Sequence, residues 1–448
     1  VLEELLSKSG PNEKQEAILF HVSHEEYDLN IKNNPRSFQS TVTELQMSQE
    51  FHKKIQANIF KMNDKINENR LDLQGIGNGV LPIVRAQLTS ETVLKLAEIP
   101  EVTYIMPDYE ARLIKPFAAV NDLNVSASEK NAGVTWGLER LEIPKLWEIT
   151  KGGGVNVAVI DTGVDSKHIV LKDRVKKFVS ITKSLRRREQ YTSGYDGGSH
   201  GTHVCGTICG GKALGKVFIG VAPHANLFVA AVPTKQCQIS HLMDGFSWAI
   251  EKGADIINIS YEARISSYYD YSKQSMLINT KAKSNNAVLV AAIGNCSYGA
   301  MGFPGNSFGS FSVGAIFEKK GGNLPLRKWG AIADFSGGAS LEYPGGYDSK
   351  KIVKPDVVAP GCGVYSCIPS KGFFFRRYPF ACMDGTSMAA PHVAGAIALL
   401  KAAHPKALIS DILKSLEETA DHPEKTKRPD NWWGQGLIQP FNAHKVLK

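Results

Sequence analysis

Ser387 stands in Asp384-Gly385-Thr386-Ser387-Met388-Ala389-Ala390-Pro391-His392-Val393-Ala394-Gly395, whose small residues open a helix continuing through Ala396-Ile397-Ala398-Leu399-Leu400. A hydroxyl at that point lies where unpaired backbone N–H groups and the helix dipole favour negative charge, as an acyl-transfer oxyanion requires. Pro391 is tolerated because N–H groups of the first turn have no partner within the helix. Alone, such a serine is an ordinary helix cap. Two other stretches change its meaning. Val157-Ala158-Val159-Ile160-Asp161-Thr162-Gly163-Val164-Asp165 is an apolar run ending in a carboxylate and a turn, and Ser199-His200-Gly201-Thr202-His203-Val204-Cys205-Gly206-Thr207 starts a helix on an imidazole. Together the three supply a hydroxyl nucleophile, a base to activate it and a carboxylate to orient that base.

In the chain order Asp161, His200, Ser387, these motifs resemble the subtilisin-like serine protease family (subtilase, peptidase S8). The resemblance runs from about Trp136 to the C-terminus, and a weaker one, to the family's inhibitor I9-type propeptide, covers much of 17–114. It implies a serine endopeptidase that works through an acyl-enzyme and is made as a propeptide-inhibited, self-cleaving zymogen. Asn295, after Val288-Leu289-Val290-Ala291-Ala292-Ile293-Gly294, matches the family's oxyanion asparagine, with Ser387 as the other contributor to that hole. His203 falls on the family's structural histidine. The Glu of a His-Glu-x-x-His zinc helix is absent, so no metal is expected there.

In this family a substrate adds as an extended strand between two edges. One edge corresponds to Ser260-Tyr261-Glu262-Ala263, and Ala292, Gly294 and Gly302 fall on walls of the primary specificity pocket. Two glycines are usual where Glu262 and Ala263 stand. A carboxylate at that place either narrows the groove or selects a basic side chain, while Gly302 suggests a deep pocket. The stretch from Leu88-Thr89-Ser90-Glu91 to Asp108 is similar to the end of subtilase propeptides, which implies self-cleavage within 113–118. Leu113, Ile114 and Phe117 mark that region, and a bond before Pro116 is disfavoured because proline on the leaving side has no N–H. Calcium is a cofactor of some subtilases, but two lysines and no acidic or amide side chain in 210–217 make that loop a poor site for a hard cation. No cofactor is required by this chemistry. The other readings of the same residues are a non-proteolytic scaffold with a permanently blocked groove, and a peptide transpeptidase or ligase.

The positioning elements follow from hydrophobic pattern. Strands are expected at 155–160, 226–232, 255–260, 287–292, 311–315 and 355–359, with helices at 200–210, 239–252 and 272–284. Such alternation, with nearly continuous apolar strands, argues for an α/β fold: a subtilisin-like parallel sheet flanked by helices on both faces. Before it, strands near 17–22, 80–88 and 100–106 and helices over 42–66 and after Thr89 predict a small α+β, ferredoxin-like propeptide domain. The expected organisation is a frayed or disordered 1–16, a propeptide domain over 17–114, a junction over 115–135 and a catalytic domain over 136–448.

Composition is that of a globular protein: 43% hydrophobic and 21% charged over 448 residues, with a net charge of +8. The charge is divided unevenly. Residues 1–117 hold 13 basic and 17 acidic side chains, whereas the remainder holds 39 and 27. This division suits docking of the first part on the second. No nucleic-acid module is present, and the basic run Lys183-Ser184-Leu185-Arg186-Arg187-Arg188 is expected as a solvated loop. The partners implied are polypeptide substrates and the chain's own propeptide, in a monomer. No apolar run reaches the roughly 20 residues of a membrane span. Secretion is expected, with any signal peptide outside this sequence. The seven cysteines show neither a zinc nor a disulfide-scaffold spacing, and Cys205 and Cys209 read as buried small hydrophobes on one helix face. Asn124-Val125-Ser126 and Asn295-Cys296-Ser297 are glycosylation sequons, the first the more accessible.

Overall fold

The computed structural model describes residues 14–20, 74–76, 81–100, 102–116, 119–120, 125–190, 194–265, 268–317, 331–341, 352–370 and 380–447. The helix expected over 42–66, most of the frayed N-terminus, Phe117 and Asn124 lie outside them.

Strands β1 (Gln15–Phe20), β2 (Gln74–Gly75), β3 (Ile83–Leu88) and β4 (Tyr104–Pro107) form an antiparallel sheet in the order β2-β3-β1-β4. Between β3 and β4, helix α1 (Ser90–Ala97) starts at Thr89, whose hydroxyl accepts the Thr92 N–H. Side chains alternate across a strand. Ala17 and Leu19 therefore pack with Val93 and Leu96 of α1, while Ile18 and Phe20 turn to the opposite face. There they join Met106, Ile239, Leu242 and Phe246 in one apolar cluster, so the small sheet is seated on the larger unit.

The chain then crosses that larger unit as β5 (Ala111–Leu113) and β6 (Ala119–Val120). Beyond it come β7 (Asn156–Asp161), β8 (Val175–Ile181), β9 (Arg187–Gln190), α2 (His200–Cys209), β10 (Asn226–Ala231) and α3 (Ile239–Glu251). The second half adds β11 (Ile256–Ile259), β12 (Tyr261–Ala263), α4 (Tyr268–Ser284), β13 (Val288–Ala292) and β14 (Ser310–Phe317). Last are β15 (Ala331–Ile332), β16 (Val357–Pro360), β17 (Val364–Cys367), β18 (Phe380–Met383) and α5 (Thr386–Ala403). A nine-stranded sheet runs β15-β14-β13-β11-β7-β10-β8-β9, with β16 also beside β14. Its pairings are parallel except β8 with β9 and β14 with β15. Strands buried on both faces explain the near-continuous apolar runs. From β7 the chain builds outward through β8 and β10 on one side, then turns to β11 on the other. The carboxyl end of β7 is thus a topological switch point, where α/β sheets open a crevice.

In the basic run 183–188, Lys183, Ser184 and Arg186 lie in an exposed turn, as expected of a solvated loop, but Arg187 departs from it. Arg187 begins β9 and its side chain is 8% exposed, because its guanidinium pairs with Asp244 and Glu251 of α3 at 2.9 Å each. The hairpin geometry, not the local composition, buries it. All seven cysteines are free thiols, and Cys205 and Cys209 are buried on α2. The 210–217 loop is a short hairpin in which Lys212 Nζ lies 5.1 Å from the Phe218 ring centroid.

A buried polar contact ties the small sheet to α3. Asp108, just after β4, accepts the Ser240 N–H at 3.0 Å and the Ser240 hydroxyl at 2.6 Å, so it caps the start of α3. Arg85 Nε of β3 lies 3.1 Å from Asp108 and 2.9 Å from Glu16, and the guanidinium also donates to the Lys183 carbonyl and to Gln238. Burial pushes the Asp108 carboxyl up to about 6, against the pull of Ser240 and Arg85. Removing one member of a buried pair strands the other charge. In a Ser387→Ala background, Asp108→Ala is expected to lower stability to urea by about 3–5 kcal/mol at pH 7. A loss below about 1 kcal/mol, on the scale of an exposed pair, would show that this contact does not hold the small sheet down.

Candidate active site

Asp161 is the last residue of β7 and is completely buried. Its Oδ1 accepts the Thr162 N–H at 2.7 Å, and both oxygens face His200 Nδ1, at 2.9 and 3.0 Å. His200 is the first residue of α2, so the imidazole is aimed from a helix start at a strand end. The approach is very close. A Cβ on Gly201 would stand 2.1 Å from the Gly163 carbonyl oxygen, and one on Gly163, whose φ is +117°, would stand 2.0 Å from the Tyr195 carbonyl oxygen. Only glycine fits both places.

Asp196, which sequence reasoning passed over, joins the two elements. One of its oxygens accepts the Thr162 hydroxyl at 2.6 Å and the Gly198 N–H at 2.8 Å. The other accepts the Thr202 N–H at 2.9 Å and the Thr202 hydroxyl at 2.6 Å. It therefore grips the residue after Asp161 and the second residue after His200, and it caps α2. The signal available in the sequence was a carboxylate four residues before His200, too short a pattern to stand alone.

Ser387 is fully buried near the N-terminus of α5. Its hydroxyl donates to the Ile114 carbonyl at 3.2 Å. His200 Nε2 is buried without a hydrogen-bond partner among the described residues, so the base receives no donor while the serine hydroxyl is engaged by the Ile114 carbonyl. Asn295 stands just beyond β13, and its Nδ2 donates to the Lys115 carbonyl at 3.0 Å. Thr386 fixes that amide: its N–H and its hydroxyl both donate to Asn295 Oδ1 at 2.9 Å, leaving the Nδ2 hydrogens to point into the site. This positioning residue was not among those expected, although it directly precedes Ser387. His203, three residues past His200, is wholly buried, with Nε2 at 3.0 Å from the Val364 carbonyl and 3.1 Å from that of Ala381. Burial lowers its pKa to about 3, so it stays neutral and ties α2 to β17 and β18.

Residues 111–116 and 119–120 lie along the groove. β5 pairs antiparallel with β12, setting Leu113 opposite Tyr261, Arg112 opposite Glu262 and Ala111 opposite Ala263. Ile114 extends the ladder by donating its N–H to the Ser260 carbonyl at 3.2 Å. Past the serine, β6 pairs antiparallel with β18, Ala119 with Met383 and Val120 with Cys382. The strand register and the Ser387 contact bring the Ile114 carbonyl to the serine, whereas the Asn295 amide holds the next carbonyl. Ile114 buries its side chain to 1% exposure, while Lys115 is exposed and the bond after it leads to proline. The walls expected from sequence come together: Ala292 ends β13, Gly294 and Gly302 follow, and Phe303 pairs with Ala263 through hydrogen bonds of 2.8 and 3.0 Å. Gly302 does not give the depth expected of it, since a Cβ there would stand 2.5 Å from Glu262 Cβ.

Gly201→Ala sets a methyl group against backbone that cannot move without shifting Asp161. A 1 Å displacement in such a site can cost about 10²-fold in rate, and turnover on a peptide substrate is expected to fall at least that far. Thermal denaturation should report a simultaneous loss of about 1–3 kcal/mol, the usual cost of overpacking; an unchanged melting curve would show that the turn and α2 are not in contact.

The comparisons agree on one family. Residues 152–436 match the family model described as Subtilase family, Peptidase S8. Subtilisin E of Bacillus subtilis is 31% identical over 361 residues, covering 79% of this chain and 78% of its own. Bacillopeptidase F of the same organism is 28% identical over 412 residues, covering 85% of this chain, but the chain spans 26% of that protein's length. Among solved structures, fervidolysin from Fervidobacterium pennivorans, described as a keratinolytic enzyme related to subtilisin, superposes with a TM-score of 0.69 at 22% identity. That match covers 98% of this chain and 62% of fervidolysin. With a parallel sheet carrying a buried Asp–His pair and a serine at a helix start, the chain belongs to the subtilase family and is a subtilisin-like serine endopeptidase acting on polypeptides.

Proposed function

We propose that the chain is an autoprocessing zymogen, in which residues 17–114 form an inhibitory propeptide domain and Ser387, His200 and Asp161 cleave the Ile114–Lys115 bond. The reading is carried by one observation: the Ile114 carbonyl sits on the Ser387 hydroxyl, in line with a strand laid along the substrate edge. Ser387 Oγ attacks the carbonyl carbon of Ile114 while His200 Nε2 takes its proton. Asp161 holds the imidazole by Nδ1 and stabilises the imidazolium. Asn295 Nδ2, moving by one peptide unit from Lys115 to Ile114, and the Ser387 N–H receive the oxyanion. The imidazolium then gives its proton to the Lys115 amine, which departs, and water hydrolyses the acyl-enzyme. Before that step the uncut strand occludes the groove, which makes the precursor inhibited. No metal enters this chemistry, and no calcium is assigned to the 210–217 loop. A monomer suffices, since one chain supplies every named group. Export belongs to the same reading, because an endopeptidase held shut until it cuts itself is suited to activation away from the proteins of its own cell.

Mass spectrometry of the purified wild-type chain beside Ser387→Ala tests this. Wild type is expected to give fragments ending at Ile114 and beginning at Lys115, and the variant to remain whole. Both staying whole under folding conditions, or both being cut alike, would overturn self-cleavage. On an added peptide, Asn295→Ala is expected to lower kcat by about 10²–10³ with little change in KM, as loss of an oxyanion donor does. An equal rise in KM with kcat unchanged would place Asn295 in ground-state binding instead.

A further inference from the structure

Glu262 occupies the middle of β12, between two buried residues that face the core: Tyr261 and Ala263 are 1% and 2% exposed. By strand alternation its side chain takes the opposite face, toward the groove. There it runs between two glycines. A Cβ on Gly302 would lie 2.5 Å from Glu262 Cβ and 2.9 Å from Oε2, and a Cβ on Gly294 would lie 2.8 Å from the same oxygen. Gly294 has a φ of +111°, so the backbone as well as the space requires glycine there. The gap that these glycines leave at the end of the primary pocket is therefore filled by the Glu262 side chain.

The occupant of that pocket in the uncut chain is Ile114. Its N–H is on the Ser260 carbonyl, its side chain is 1% exposed, and it belongs to the same apolar cluster as Ala292, the wall residue two before Gly294. Lys115 stays exposed, so the chain's own basic residue does not enter. The Glu262 carboxylate makes no hydrogen bond or close ion pair among the described residues, and burial pushes its carboxyl above the ordinary value, with Arg264 and Arg112 acting more weakly in the other direction.

We propose that Glu262 sets the specificity of the primary pocket by filling its far end, so that the enzyme takes short branched aliphatic residues, isoleucine or valine, on the acyl side of the cut and rejects aromatic ones. This rests on the proposed endopeptidase site and extends it to a substrate class. The side chain acts by volume: the carboxylate shortens the pocket, and the β-branched residue fits what is left between Ser260 and Ala292.

The test uses the processed enzyme and peptides of the form Ala-Arg-Leu-Xaa-p-nitroanilide, with Xaa isoleucine, valine, phenylalanine or lysine. Since one methylene in an apolar pocket is worth about 10–200-fold, kcat/KM for isoleucine and valine should exceed that for phenylalanine by at least about tenfold. Glu262→Gln, which keeps the volume and removes the charge, should keep that order. Glu262→Gly should raise kcat/KM for phenylalanine at least about tenfold and bring it above isoleucine. The inference is overturned if wild type prefers phenylalanine, if it prefers lysine and Glu262→Gln abolishes that preference, or if Glu262→Gly leaves the ranking unchanged. Should wild type cleave none of the four any faster than Ser387→Ala, the endopeptidase site itself is wrong, and the pocket assignment falls with it.

Discussion

The contact between Gly163 and Gly201 governs the geometry of the site. Asp161 leaves a buried strand and His200 begins a helix, and the two can face each other at 2.9 Å only if those backbones meet without side chains between them. Asp196 then makes the junction rigid, because a single carboxylate bonds the hydroxyl of Thr162 on one side and that of Thr202 on the other. A half-buried carboxylate carrying four hydrogen bonds has little freedom to rearrange, since any shift would break several of them at once. Orientation of the imidazole is thus a property of the fold and not of Asp161 alone.

The same economy of positions recurs at the serine. Thr386 and Ser387 are neighbours at the start of α5; one holds the Asn295 amide by its oxygen and the other presents the nucleophile. Helix packing fixes α5 in the core, where its residues from Thr386 to Leu400 are buried, so the two groups inherit the stiffness of the core. His203 is fixed in the opposite sense. Neutral at any ordinary pH because it is desolvated, it spends its donor on two carbonyls and makes α2 part of the layer that carries the leaving side of the groove.

The occupied groove links folding to function. Residues 111–113 and 119–120 add strands to the two edges where a substrate would lie, and the acidic Asp108 a few residues earlier caps α3. Both contacts are made by backbone amides and by a charge, so they demand little of the side chains that pass the serine. That leaves the pocket beneath Ile114 as the place where side-chain shape is read, and there Glu262 stands in space that Gly294 and Gly302 would otherwise open.

Much of this was legible in the residues. Strands at 156–161, 226–231 and 288–292 were visible as unbroken apolar runs because a parallel sheet covered on both faces has no polar side. Asp161, His200, Asn295 and Ser387 stood out because motif chemistry is local: each lies within a few residues of the turn or helix start that aims it. What tertiary structure alone decided involves partners distant in sequence. Arg187 looked solvated and is buried, because its partners Asp244 and Glu251 lie on a helix more than fifty residues away. Asp196 and Thr386 carry no pattern of their own, and their roles exist only where three segments meet. Gly302 promised depth, yet volume in a pocket is a sum over all its walls, and the side chain that fills it comes from a strand forty residues earlier.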